Sequence, residues 1–209
     1  MPESASKSKM NALANMPSGA ASAGYQGKSG KTDSAGTTGN ALAEISNEGV
    51  PLYNQKDPQW KDRILEKRFT IGQFGCAVTS TAMSLSKISG SNINPEEMDQ
   101  YLDDNHGYRN EMIIWQIGAQ KIGASAEMLY QTGNKDKVDK SLESGRPCVI
   151  SVGNSRGPKG HWVCVAGRNA DGSYIIHDPE GGRVVGGAWD GKCIRVEGYT
   201  QGTELRLFS

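Results

Sequence analysis

Gly75-Cys76-Ala77-Val78-Thr79-Ser80-Thr81-Ala82-Met83 sets a cysteine at the head of a run in which Val78, Ala82 and Leu85 recur at helical spacing. That spacing predicts a helix from residue 76 to about 88, with the thiol in its first turn and one face buried. Well downstream, Gly160-His161-Trp162-Val163-Cys164-Val165 and Ile175-Ile176-His177-Asp178-Pro179 read as two strands. The first begins with a histidine and the second ends with an aspartate. Cysteine, histidine and aspartate in that order, on a helix start followed by strands, is the arrangement nucleophilic thiol chemistry needs.

Working outward, Asn94-Pro95-Glu96-Glu97 opens a second helix, with Asn94 as cap, proline at the first position and acids in the first turn. Residues 111–122 read as a third helix closing at Gly123, and residues 135–143 as a short fourth. The period then changes. Residues 147–152, 161–166, 174–178, 193–196 and 204–208 read as strands divided by Gly- and Asp-rich turns, of which Asn169-Ala170-Asp171-Gly172 is a hairpin turn. Helices first and an antiparallel sheet after them predict an α+β domain over residues 49–209. Gly181-Gly182 and Gly186-Gly187 read as turn glycines.

Residues 1–48 are dominated by Ala, Ser, Gly, Thr and Lys, with Tyr25 the only aromatic. Such a segment buries too little apolar surface to offset its ordering entropy, so alone it is expected to be a disordered arm. A sharper reading makes it an arm ordered on an assembly partner, with residues 10–16 and 41–45 as brief helices there. In the 209 residues, 23 Lys and Arg balance 23 Asp and Glu, so no global basic field argues for nucleic acid. No run approaches the roughly 18 apolar residues of a membrane span. The N terminus lacks the apolar core of a secretory signal, so synthesis in the cytoplasm is expected. Incorporation in a virion or a non-classical export route would still carry the chain outside.

The four cysteines, Cys76, Cys148, Cys164 and Cys193, form no Cys-x-x-Cys pair and no His/Cys cluster of zinc-ligand spacing, so no metal or other cofactor is implied. Cys148 and Cys164 sit in apolar strand patterns, where free cysteine packs as a small hydrophobe. A free thiol is only a few per cent ionised at neutral pH and needs help. A helix N-terminus supplies unpaired donors and the positive end of the dipole at Cys76. His161 is the candidate base and ion-pair partner, and Asp178 the acid that orients it. Gly75 leaves room for a sharp turn and for substrate, and Trp162 adjoins the candidate base as a cleft wall. Trp60, Trp115 and Trp189 read first as core. His106, in a polar loop, and His177, on the other face of its strand from Asp178, are the competing bases.

Val50-Pro51-Leu52-Tyr53-Asn54-Gln55-Lys56-Asp57-Pro58-Gln59-Trp60, followed by the blocks around Cys76, His161 and Asp178, resembles the papain-like cysteine peptidases related to bacteriocin-leader (double-glycine) processing enzymes. The resemblance runs from about residue 50 to 179. It implies Cys76 as nucleophile, His161 as base, Asp178 as orienting acid, and a glutamine donating to the oxyanion beside the cysteine's own N–H. Gln55 matches the opening motif, and Gln73 is the alternative nearer in sequence. Glycine commonly follows the family's cysteine, whereas Ala77 stands here. The exporter carried by transporter-fused members has no counterpart in this sequence.

The expected function is therefore a thiol hydrolase cleaving amide bonds, with a peptide or peptidoglycan cross-link as substrate, carried by a phage particle or injected as an effector. Two alternatives share the sequence evidence. One is a structural or adaptor component that kept the fold without turnover. The other is an acyl transferase, which uses the same nucleophile with an amine in place of water.

Overall fold

The structure is a computed structural model that describes residues 42–153 and 160–209. The expected helix at residues 10–16, and the arm up to residue 41, lie outside the described residues.

The elements in chain order are β1 (Ile64–Leu65), β2 (Phe69–Thr70), α1 (Ile71–Phe74), α2 (Cys76–Ser89), α3 (Pro95–Asp104), β3 (Tyr108–Arg109), β4 (Met112–Ile113), α4 (Trp115–Gln120), β5 (Ala126–Tyr130), α5 (Lys135–Glu143), β6 (Cys148–Val152), β7 (His161–Arg168), β8 (Tyr174–Asp178), β9 (Arg183–Trp189), β10 (Ile194–Val196) and β11 (Glu204–Phe208). Seven strands form one antiparallel sheet in the order β10-β9-β8-β7-β6-β11-β5. Helices and a largely antiparallel sheet are thus both present, as the change of period predicts.

Apolar side chains gather on both faces of the sheet. One cluster joins Val78, Ala82 and Leu85 of α2, Met98 and Leu102 of α3 and Trp115 of α4 to Val149 and Phe208. A second joins Val138 and Leu142 of α5 to Cys148, Ile150, Val163, Ile176 and Leu205. Strand β6 sends alternate residues into the two clusters, which is why Cys148-Val149-Ile150-Ser151-Val152 is apolar almost throughout instead of alternating.

Helix α2 is buried nearly all round, from Val78 to Ser86. Its small hydroxyl residues fit a helix pressed against a sheet, because most find a backbone partner, Thr79 Oγ1 being the buried exception. Ser80 Oγ donates to the Trp162 carbonyl at 3.0 Å and Ser84 Oγ to the Pro147 carbonyl at 2.6 Å. Ser86 Oγ both donates to the Ile93 carbonyl and accepts from its N–H. Gly90 closes α2 in the left-handed conformation, and Asn94 with Glu97 forms a full capping box on α3.

Three expectations are corrected. The helix predicted over 111–122 is only Trp115–Gln120; ahead of it β3 and β4 form a hairpin through Asn110 and Glu111, both at positive φ. Ile114 caps the helix and Ile117 and Gly118 lie within it, so their spacing is met by the short α4 alone, while residues 111–113 belong to the hairpin. Gly186-Gly187 is no turn but lies inside β9, a strand the sequence reading omits along with β5. A Cβ on Gly187 would come within 2.9 Å of Ile194 Cγ2 and 3.2 Å of Ile176 Cγ1, so glycine is needed there for strand packing. Finally, Ile45 makes an antiparallel bridge with Arg168, so backbone pairing begins ahead of the start expected near Val50.

Gly187→Ala is expected to lower unfolding stability by about 1–3 kcal/mol through overpacking, read from urea denaturation at unchanged m-value.

Candidate active site

Cys76 is the first residue of the 14-residue α2, directly after the short α1. Gly75 between them has ordinary backbone angles (φ −78°), so no sharp turn calls for glycine. It is buried, and a Cβ would sit 2.5 Å from the Ile71 carbonyl oxygen. The space it leaves is filled by Ile71, not by a cleft. Cys76 itself is partly exposed, whereas Cys148, Cys164 and Cys193 are buried, and all four are free thiols. Burial pushes the Cys148 and Cys164 thiols far up, away from thiolate chemistry.

Strand β7 starts at His161, and its register with β8 pairs Cys164 with His177, which brings the end of β8 alongside the start of β7. His161 Nε2 lies 2.7 Å from Asp178 Oδ1, and the Cys76 side chain is hydrogen-bonded to the same imidazole. With Nε2 taken by Asp178, Nδ1 is the ring nitrogen left for Cys76. The structure therefore brings together the three residues singled out by chain order.

The opposing effects on His161 are large. Burial pulls its pKa down, but hydrogen bonds to Asp178 and Cys76 outweigh it and hold the pKa at about 9. Asp178 is fully buried, which alone would raise its pKa, yet its carboxyl is held below the usual range by His161 and Tyr199. Its four contacts account for this. Oδ1 accepts from His161 and from the Glu180 N–H at 2.9 Å, and Oδ2 accepts from Tyr199 Oη at 2.7 Å and Arg183 Nε at 2.9 Å. The Tyr199 ring also stacks on His161, with centroids 5.1 Å apart and planes 21° from parallel. Tyr199 and Arg183 escaped the sequence reading because they lie beyond the aspartate in turn-rich chain. The only available signal was a basic residue five positions after Asp178.

His177 is on the other face. Its Nε2 is 2.9 Å from Asn47 Nδ2 and its Nδ1 3.0 Å from the Pro51 carbonyl oxygen, and burial lowers its pKa. It fastens the segment before the domain to the sheet. His106 sits at positive φ in the turn after α3. The two glutamines also separate. Gln73 is exposed, and its Oε1 accepts from the Thr70 N–H as part of the α1 capping box. Gln55 is buried; its N–H donates to the Pro179 carbonyl, its Nε2 donates to the Gly72 carbonyl at 3.2 Å, and its Oε1 has no partner. Gln55 is thus tied both to the residue following Asp178 and to α1, just ahead of the thiol.

A cleft of about 620 Å³ runs past the thiol. Cys76, Trp115, Trp162, Met112, Phe74 and Arg206 are among its lining residues. Trp115 and Trp162 touch, with centroids 4.7 Å apart, so Trp115 is wall as well as core. Trp60 is a core anchor whose indole N–H donates to the Asn54 carbonyl, and Trp189 packs against the second cluster. Among the described residues, no group of three or more His, Cys, Asp or Glu is placed to hold a metal, and no helix is long and apolar enough to cross a membrane.

The shift on His161 has a consequence for stability. Its folded pKa of about 9 lies above the ordinary value of 6.5. Between those values the folded state binds more protons than the unfolded one, so stability falls as pH rises. The stabilisation that His161 provides is expected in full below about pH 6.5 and lost as pH rises through about 9. Urea midpoints of the native protein and His161→Gln, compared across that range, should converge at the alkaline end.

No curated protein matches the chain. The Peptidase_C39 like family model matches residues 47–190, which spans the opening segment, α2 and the strands that carry His161 and Asp178. The chain therefore belongs to the Peptidase_C39 like family and is a papain-like cysteine peptidase in kind.

Proposed function

We propose that the protein is an amide-bond hydrolase in which Cys76 is the nucleophile, His161 the general acid and base, and Asp178 the residue that orients it. The observation that carries this reading is the imidazole held between the Asp178 carboxylate and the Cys76 thiol at the start of α2. A His161 pKa near 9 supports an imidazolium at neutral pH beside the Cys76 side chain. Sγ adds to the scissile carbonyl, and the negative charge moves to its oxygen. The Cys76 N–H and the Gln55 side-chain amide are the donors this reading assigns to that oxygen. His161 then protonates the leaving amine, giving a thioester. Water, losing a proton to His161, releases the acid and restores the thiol.

The cleft, with its aromatic wall and uncrowded Gly160, fits an extended peptide better than a compact small molecule. We take that peptide to be a bacterial cell-wall cross-link, reached from a virion or by a non-classical export route. The polar, low-complexity composition of residues 1–48 supports carriage by an assembly over a free-standing role.

Limiting iodoacetamide at pH 6 should label Cys76 ahead of Cys148, Cys164 and Cys193, as located by peptide mass spectrometry. Exposure alone already separates Cys76 from the three buried cysteines, so the deciding readout is the rate: His161→Ala should slow Cys76 labelling at pH 6, and a rate unchanged by it would overturn the reading. Equal labelling of the four cysteines would overturn the reading. On purified wall peptides, Cys76→Ala should abolish release of new termini, and Gln55→Ala should lower kcat by roughly 10²–10³-fold. Wall peptides left intact while ordinary proteins are cleaved would keep the chemistry and refute the substrate.

A further inference from the structure

On the wall of the cleft opposite α1 stands a cation that the hydrolytic reading does not use. Arg206, on β11, is only 7 % exposed, yet it lines the same cleft as Cys76. Its guanidinium lies over both tryptophans, 5.1 Å from the Trp115 ring centre and 4.8 Å from that of Trp162. The two rings are themselves in contact, so the guanidinium rests against a paired aromatic wall as a cation–π partner of both.

Its polar contacts are incomplete. Nη1 donates to the Leu205 carbonyl at 3.0 Å, Nη2 stands 3.4 Å from Glu204 Oε2, and Nε is buried with no partner. Charge-assisted N–H···O bonds are ordinarily about 2.7–2.9 Å, so the Glu204 contact is loose. The Glu204 side chain is itself 44 % exposed and also lines the cleft. The two rings and the Leu205 carbonyl offset part of the desolvation cost of this guanidinium, but its one carboxylate partner is slack, so the Nη2 side is under-compensated. Consistent with this, burial pulls the Arg206 pKa down more than Glu204 restores it.

Among the described residues, the other charges facing the cleft are Arg68 and Glu111, which pair with each other at 3.2 Å. Arg68 is two-thirds exposed and so screened by solvent, which leaves Arg206 as the cation whose field is strong at short range.

We infer that Arg206 is the subsite for a carboxylate of the bound peptide, the substrate's anion taking up the free guanidinium edge that Glu204 engages only loosely. This rests on the proposed peptidase reading and narrows it to peptides carrying a free carboxylate near the scissile bond. Arg206 acts on selectivity, not on the reacting atoms. Removing Glu204 removes a competitor for the same fork, so the two neighbours have opposite effects on the same binding step.

The test uses the native chain and the rate at which iodoacetamide alkylates Cys76, measured with protecting peptides present. Two matched pairs separate the sources of the carboxylate. N-acetyl-Gly-Ala as free acid and as amide tests a terminal carboxylate, and N-acetyl-Glu-Ala-amide against its Gln counterpart tests a side-chain one. In at least one pair the acid should give half-protection at about tenfold lower concentration than the amide, the scale of one charge-assisted hydrogen bond. Arg206→Met should erase that difference, Arg206→Lys should keep part of it, and Glu204→Gln should widen it. A merely structural Arg206 would weaken protection by acid and amide alike. Equal protection within both pairs, no protection by any peptide, or a preference that survives Arg206→Met overturns the proposal. Failure of the peptidase reading would show separately, as a Cys76 that is not preferentially alkylated in the absence of peptide.

Discussion

The contact on which the site depends is the seam between α2 and β7. One element carries the thiol at its first residue and the other carries the imidazole at its first residue, so their mutual position sets the geometry between Cys76 and His161. Small residues make a close seam possible. Ser80 gives its hydroxyl proton to the carbonyl of Trp162, the residue next to His161, and sits fully buried one turn beyond Cys76. A buried hydroxyl with a partner is inexpensive, and without one it costs about 1–3 kcal/mol, so the bond disfavours sliding of the helix along the strand. Ser84, bound to the Pro147 carbonyl, repeats the device further along α2, toward β6. Two such bonds a turn apart fix register as well as distance.

Asp178 extends that rigidity to the electrostatics. A fully buried carboxylate with a single histidine partner would be pushed toward its neutral form, which could not hold the imidazolium. Four donors from His161, Glu180, Tyr199 and Arg183 keep it charged, and three of them come from the chain after the aspartate. The carbonyl of Pro179 accepts the N–H of Gln55, and the Lys56–Glu180 ion pair lies beside it. The opening segment, the β8 end and the α1–α2 junction are therefore braced against one another through Gln55, although they are far apart in sequence. The Tyr199 ring, stacked on His161, limits imidazole rotation to the plane that faces both partners.

This division explains what could be read without coordinates. Helix starts with strong local chemistry were legible: Asn94-Pro95-Glu96-Glu97 caps α3 as its residues imply, and the α2 face follows from Val78, Ala82 and Leu85. Cys76, His161 and Asp178 were legible because each sits at an element boundary marked by glycine or proline. The β3–β4 hairpin was not, since Asn110 and Glu111 adopt positive φ without glycine, and Glu111 is held there by an N–H bond to Glu66, a tertiary contact. Strand β9 was missed because Gly186-Gly187 is a turn signal locally, and only the approach of Ile176, Ile194 and Glu197 makes it a packing requirement. Arg206 lay in plain view on a predicted strand. Nothing local distinguishes a solvated strand arginine from one flanked by two tryptophans contributed by α4 and β7.

The same separation bears on how such a site acquires selectivity. The thiol, imidazole and carboxylate are set by α2, β7 and β8, and these elements are bound by core packing on both sides of the sheet. Their geometry has little freedom to change. The cleft walls are drawn from elsewhere: the β3–β4 hairpin supplies Met112 and Ile113, β11 supplies Glu204 and Arg206, and α4 supplies Trp115. Met112 is 71 % exposed and the hairpin strands are two residues long, so this lip can vary in shape at small cost to the core. Arg206 is the exception among the walls. Its burial makes it expensive, the paired tryptophans hold its stem and head against the wall, and its loosely engaged Nη2 gives it a preference for anions that a solvated lysine at the same place would lack.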